Sequence, residues 1–324
     1  MMQEAIKSFP AQMAFVPEIE HKEKLGAYEW YVVLGMGGSH LGADMLAGWQ
    51  IQLPLAVHSD YGLPYVAEAQ KTKTLVIASS YSGNTEETID GFEEAGQQGI
   101  PRAAISAGGR LRYLARSAGV PYIQLPDTGV QPRSATGFSM HAMAALMRQD
   151  AASAALHAVG AWLAEHMDAF EQQGIALAKQ ARGRVPVIYA SLRNRAVAYN
   201  WKIKLNETGK VPAFYNCVPE LNHNEMTGFD VVEATRPLSD RMFFVFLEDG
   251  DDHPKNQKRM AVTAGLYRDR GLSVASVCAP GMAPFEKMFA LTLIADWFAY
   301  YTSQHYGTEA EQVPMVEEFK KKIA

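Results

Sequence analysis

Two short segments concentrate the residue types best suited to holding an anion. Gly35-Met36-Gly37-Gly38-Ser39 follows the apolar run Trp30–Leu34, and Ser79-Ser80-Tyr81-Ser82-Gly83-Asn84-Thr85 follows a second such run that starts at Thr74. Glycine lets the main chain approach a ligand closely. Ser and Thr hydroxyls beside the unpaired amides of a helix start can bind phosphate without any lysine. The candidate phosphate contacts are therefore Gly38, Ser39, Ser80, Ser82 and Thr85. The glycine segment alone also reads as a tight strand-to-helix turn, because it matches neither the dinucleotide fingerprint nor a P-loop. Thr85 as a plain helix N-cap would explain one hydroxyl and leave Ser80 and Ser82 without a task.

The elements that must present these loops follow from the hydrophobic pattern. Short, wholly apolar runs at Trp30–Leu34, Leu55–His58, Thr74–Ser79, Ala103–Ser106 and Tyr122–Leu125 alternate with helical patterns at Leu41–Trp49, Thr85–Gln98 and Arg110–Ala118. Strands apolar on both faces, separated by helices, predict a parallel sheet covered on both sides. Loops at the carboxyl ends of such strands are where ligands bind. Residues 139–181 are rich in Ala, Met, Leu, His and Gln and predict long helices. The β–α alternation resumes with strands at Val185–Ala190, Arg241–Leu247 and Leu272–Cys278, and helices at Arg195–Asn206, Pro254–Arg268 and Pro284–Gln304. The expected organisation is a pair of tandem α/β units: residues 1–150, then residues 151–324 with a helical connection and a C-terminal helix.

With 48% hydrophobic and 20% charged residues, each half can bury a core of its own. A formal net charge of −5 leaves no excess of Lys and Arg to meet a nucleic acid backbone, and Lys320-Lys321-Lys322, the one dense basic run, suits a helix end. The stretch Met288–Tyr301 is shorter than the roughly 20 residues that span a bilayer and contains Asp296, so a buried core helix is expected rather than a membrane segment. Glu4 and Pro10 interrupt the N-terminus, and no signal peptide is expected. Cys217 and Cys278 have no metal-ligand spacing; two buried thiols in a reducing, cytoplasmic compartment are the simplest account. No metal or redox cofactor is indicated.

The pattern Ser-x-Ser-Gly-Asn-Thr-x-Glu at Ser80–Glu87 is the signature of sugar-isomerase (SIS) domains. With Gln131-Pro132-Arg133-Ser134, Asn206-Glu207 and Pro219-Glu220-Leu221-Asn222-His223-Asn224-Glu225, the chain from about Gly35 to Lys320 resembles the bifunctional phosphoglucose/phosphomannose isomerases. The resemblance implies two SIS domains, each a parallel sheet between helix layers in a flavodoxin-like three-layer sandwich. It implies an aldose–ketose isomerase of glucose 6-phosphate and mannose 6-phosphate that works through a cis-enediolate. Such chemistry needs a base at C2, a cation or donor at the enediolate oxygen and an acid–base group to open the ring.

Matched position by position, the resemblance implies Glu207 as the base, Arg133 as the enediolate stabiliser and His223 as the ring-opening group. It implies Lys320 as an aid at the ring oxygen. His223 would reach the site from a neighbouring subunit, hence a homodimer. Read without the resemblance, Glu207 is equally a solvated helix-end carboxylate, and Arg133 a surface ion-pair partner. Two departures stand out: His40 follows Ser39 where a small residue is usual, and Val313 stands near the place of a Thr associated with mannose 6-phosphate activity. SIS domains also occur in amidosugar-phosphate isomerases and deaminases and in non-catalytic sugar-phosphate-sensing regulators, which remain the alternatives.

Overall fold

The computed structural model describes residues 2–50 and 52–323. Its contacts divide the chain into two compact units, one formed by Ser8–Trp162, the other by the segment up to Lys7 together with everything from Leu163 onward. A short helix α1 (Met2–Lys7) opens the chain. The Ser8–Trp162 unit then carries β1 (Ile19–Glu20), β2 (Trp30–Leu34), α2 (Leu41–Trp49), β3 (Leu55–His58), β4 (Thr74–Ser79), α3 (Glu86–Gln97), β5 (Arg102–Ser106), α4 (Gly109–Ala118), β6 (Tyr122–Gln124) and α5 (Thr136–Leu146). The expected strands and helices are all present within a residue or two of their predicted ends.

Five parallel strands run in the order β6-β5-β4-β2-β3, and β1 adds an antiparallel edge against β6, with Ile19 opposite Ile123. Counted along the chain, the parallel strands lie second, first, third, fourth, fifth, the flavodoxin-like order. Every residue of β4 is buried, as a central strand covered on both faces requires. Ile89 and Phe92 of α3 and Leu111 and Ala115 of α4 pack on Ala78, Ala104 and Tyr122 from the sheet. Glu86 and Glu87 occupy the first turn of α3, where the helix dipole favours negative charge. Gly119, at φ 57°, ends α4 in the left-handed conformation.

Helix α6 (Asp150–Gln180) is followed in the other unit by β7 (Val185–Ser191), α7 (Arg195–Glu207), β8 (Phe214–Val218), a single turn α8 (Arg236–Ser239), β9 (Met242–Glu248), α9 (Pro254–Asp269), β10 (Ser273–Cys278), α10 (Pro284–Tyr306) and α11 (Pro314–Ile323). The sheet is parallel, in the order β10-β9-β7-β8. It repeats the first sheet's parallel order with one parallel strand fewer and no antiparallel edge. Tyr189, Phe244, Phe246 and Tyr267 form an aromatic cluster at its core.

Helix α10 is buried on nearly all sides. Gly174 of α6 lies against it, where a Cβ would come 2.3 Å from that of Trp297. Asp296, the one charge in the apolar stretch Met288–Tyr301 of this helix, is 3% exposed and accepts from Lys204 of α7 at 2.5 Å. The thiols depart from expectation. Cys217 is buried within β8, but Cys278 ends the edge strand β10 and is exposed.

Candidate active site

In the Ser8–Trp162 unit the chain leaves β2 toward β3 on one side and returns through β4 on the other. The loops after β2 and β4 therefore flank the switch point of the sheet, the usual ligand crevice of an open parallel sheet. Both loops are the segments singled out by composition. They are tied together through Ser39: its carbonyl accepts from the Ser79 hydroxyl at 2.7 Å, and its own hydroxyl oxygen accepts from the Tyr81 amide at 3.1 Å. An oxygen that accepts in this way keeps its proton to donate to a ligand.

The serine loop divides its hydroxyls between structure and surface. Ser80 is fully buried; its Oγ accepts from the Gly83 amide at 3.1 Å and lies 2.8 Å from the Thr85 hydroxyl. Thr85 makes no side-chain cap to α3, so the plain N-cap explanation fails. Ser82 is exposed, and its Oγ accepts from the Asn84 amide at 3.2 Å. Gly83 sits at φ 71°, and a Cβ there would come 1.8 Å from the Gly108 carbonyl oxygen. Only glycine can let the serine loop rest on the start of α4. The Asn84 side-chain Oδ1 accepts from the Arg110 amide at 2.9 Å and fastens the same junction.

Arg133 lies in a short 3-10 turn, Pro132–Ser134, and is 1% exposed. That turn is seated on the glycine loop, since a Cβ on Gly38 would lie 2.6 Å from the Arg133 nitrogen. Buried Gln12 holds the turn from the other side, donating to the Ser134 carbonyl at 2.7 Å and accepting from the Gly137 amide at 3.1 Å. No motif marks Gln12 in the sequence. The structure thus brings Gly38, Ser39, Ser80, Ser82, Thr85 and Arg133 to one end of one sheet. Hydroxyls, helix-start amides and a buried guanidinium are an anion's ligands.

The other unit carries Glu207, His223 and Lys320. Glu207 is the last residue of α7 and half-buried, and its main-chain carbonyl accepts from Lys210 at 2.5 Å. Lys210 also donates to the Gln312 carbonyl, tying the end of α7 to the segment before α11. His223 ends a 3-10 turn, Glu220–His223, and is exposed. Lys320 is exposed on α11, and its one ion pair among the described residues is with Glu317 at 2.8 Å. Among the described residues no hydrogen bond or ion pair joins Lys320 to Glu207 or His223.

The switch point of this second sheet, between the ends of β7 and β9, has the opposite chemistry. Asp252 accepts from the Ser191 hydroxyl at 2.6 Å, and Asp249 accepts from Asn194 at 3.2 Å and from Lys287 at 3.1 Å. Burial alone would push the Asp249 carboxyl up, but the Asp251 amide, Asn194 and Lys287 together hold it below the usual carboxylate range. Burial raises Asp252. Two buried carboxylates occupy the place where the first unit offers hydroxyls. Among the described residues no group of His, Cys, Asp or Glu is placed to hold a metal ion, and no helix is long and apolar enough to cross a membrane.

A family model described as the bacterial phospho-glucose isomerase C-terminal SIS domain matches residues 170–323. The bifunctional phosphoglucose/phosphomannose isomerase of Thermoplasma volcanium is 33% identical, covering 93% of this chain and 93% of its own. Its namesake in Thermoplasma acidophilum is 32% identical over 99% and 97%. Among solved structures, the C-terminal domain of glucosamine-fructose-6-phosphate aminotransferase from Francisella tularensis superposes with a TM-score of 0.74 over 96% of this chain and 98% of its own, at 14% identity. That likeness shows the fold alone, an α/β arrangement of SIS type.

Proposed function

The chain belongs to the bifunctional phosphoglucose/phosphomannose isomerases, and on that premise we propose that it interconverts glucose 6-phosphate and mannose 6-phosphate with fructose 6-phosphate through a shared cis-enediolate. The observation that carries this reading is the cradle at the first sheet's switch point, where Ser39 ties the two loops together and the Arg133 turn rests on Gly38. The two aldoses differ only at C2, the carbon whose configuration the enediolate erases. One site can therefore serve both.

In this reading the sugar phosphate group binds the hydroxyls of Ser39, Ser82 and Thr85 and the amides around Gly38, while Ser80 shapes the loop. His223 opens the ring by passing the C1 hydroxyl proton toward the ring oxygen, with Lys320 as the group assisting there. The Glu207 carboxylate removes the C2 proton, the C1 carbonyl becomes an enediolate oxygen held by Arg133, and the protonated Glu207 returns the proton to C1. A proton moves from the C2 hydroxyl to the C1 oxygen, leaving a C2 ketone and a C1 alcohol. The sugar is neither oxidised nor reduced overall.

His223 lies exposed on its own unit, which supports a homodimer in which each chain lends this residue to its neighbour. A phosphosugar does not cross membranes unaided, so we place the activity in the cytoplasm where such esters are made. Glu207→Gln tests the base role. Turnover should fall by about 10³-fold or more, with affinity for 6-phosphogluconate within about twofold of wild type; an equal loss of binding would contradict it. Mixing Glu207→Gln chains with His223→Asn chains should restore activity if His223 acts across the interface. No recovery after subunit exchange would rule that out.

A further inference from the structure

His223 is exposed and ends a single 3-10 turn, an arrangement that by itself would leave an acid–base group poorly aimed. The residues around it are nevertheless anchored to three different elements. Leu221 is fully buried in the aromatic core. Asn222 donates to the Thr263 hydroxyl of α9 at 2.8 Å. Two residues beyond His223, Glu225 bridges two neighbouring strands at the paired residues Tyr189 and Asn216. One carboxylate oxygen accepts from the Tyr189 hydroxyl of β7 at 2.6 Å, and the other accepts from the Asn216 amide of β8. Asn224 accepts from the Glu225 amide at 2.5 Å and donates to Glu220 at 2.7 Å, closing the turn on itself. Burial pushes the Tyr189 phenol far above its ordinary range, with Tyr267 and Glu225 adding to the shift, so it remains a donor.

We propose that Glu225 is a positioning residue, its carboxylate clamped between Tyr189 and Asn216 so that the loop presents His223 at a fixed place and angle. The inference rests on the isomerase reading and on the ring-opening role of His223. A carboxylate is the one side chain of this length that offers acceptors to both donors at once. Glutamine keeps the shape but has a single acceptor oxygen: its amide nitrogen either meets the Asn216 amide donor against donor, or turns to Tyr189 and forces that hydroxyl to accept in place of its charge-assisted bond to the carboxylate. The clamp acts on the part of the reaction that uses His223 and leaves phosphate binding alone, because the phosphate cradle belongs to the other unit.

The test compares full-length Glu225→Gln, His223→Asn and the double variant, by steady-state kinetics on glucose 6-phosphate and by affinity for 6-phosphogluconate. Misplacing a catalytic group by about an ångström costs on the order of a hundredfold. Glu225→Gln should therefore lose about that much kcat, with 6-phosphogluconate affinity within about twofold of wild type. The double variant should be no slower than His223→Asn alone, because the clamp has nothing further to aim. Losses that multiply in the double variant, or an unchanged kcat in Glu225→Gln, would overturn the clamp. Wild-type turnover by His223→Asn would overturn the ring-opening role beneath it, and the clamp's purpose with it. Should Glu225→Gln fail to fold, Tyr189→Phe removes one donor without disturbing the core's shape. It should show a smaller loss that again vanishes in the His223→Asn background.

Discussion

Gly38 is where the two parts of the proposed phosphate cradle meet. Its missing side chain is what lets the turn bearing Arg133 lie on the glycine loop, with 2.6 Å between the position of an added Cβ and the Arg133 nitrogen. Both partners are backbone, so neither can swing aside. Gly38→Ala should thus displace Arg133 and the loop together. We expect kcat/KM to fall by about a hundredfold or more, with the melting temperature lowered by only a few degrees. Near-normal kcat/KM would show that Arg133 need not lie where it does. The sequence marks Gly38 and Arg133 separately, through motifs, but nothing in it says that they touch. Gln12, which holds the same turn from behind, carries no signal at all, because one buried glutamine in a helical N-terminus resembles any other.

At the scale of elements, strands were legible where apolar residues ran unbroken, and unread where a polar residue with a task interrupted them. Strand β8 went unread because Asn216 divides Phe214–Val218. The structure accounts for that break, since the Asn216 amide grips Glu225. Local inconsistency of this kind is expected where a site overrides the pattern. Strand β1 is only two residues long and offers no periodicity to read.

Asp296 was legible as an oddity in an apolar helix, but its partner on α7 was not, because pairing between distant helices leaves no local trace. Lys204 is fully buried, and the pair holds α10 to the turn of α7 that ends in Glu207. Removing the carboxylate, as in Asp296→Asn, leaves a buried ammonium facing a neutral amide in place of its counter-charge and should cost about 3–5 kcal/mol of unfolding free energy. Replacing both, as in Lys204→Met with Asp296→Leu, should recover most of that loss. Denaturant unfolding distinguishes the two; a single variant as stable as wild type would mean the pair contributes nothing to the packing.

For the molecule as a whole, acid sensitivity has an identifiable source. His141 on α5 is 1% exposed, and its ring lies 4.5 Å from that of His157. Burial first, and the neighbouring His157 second, lower its pKa from 6.5 to about 4. The unfolded chain therefore binds a proton in the window between those values that the native state refuses. Stability is complete above pH 6.5 and is lost as the pH falls toward 4, by about 3 kcal/mol for this group. His141→Leu should remove that share of the decline. Unfolding free energies measured across the window should show the variant gaining on wild type as the pH drops. Parallel curves would contradict the assignment.

The tandem α/β architecture was readable from alternation alone, and the two switch points are its consequence. Only the first carries a serine loop, the feature on which the proposed phosphate site rests. The buried aspartates at the other one declare themselves in three dimensions.

The central claim is that one enediolate site serves both C2 epimers. The most direct measurement is fructose 6-phosphate formation by the purified protein from glucose 6-phosphate and, separately, from mannose 6-phosphate. The account predicts product from both, with Val313 in place and no hydroxyl needed there. Product from neither sugar would contradict it. Product from glucose 6-phosphate alone would contradict the shared site and turn attention to Val313.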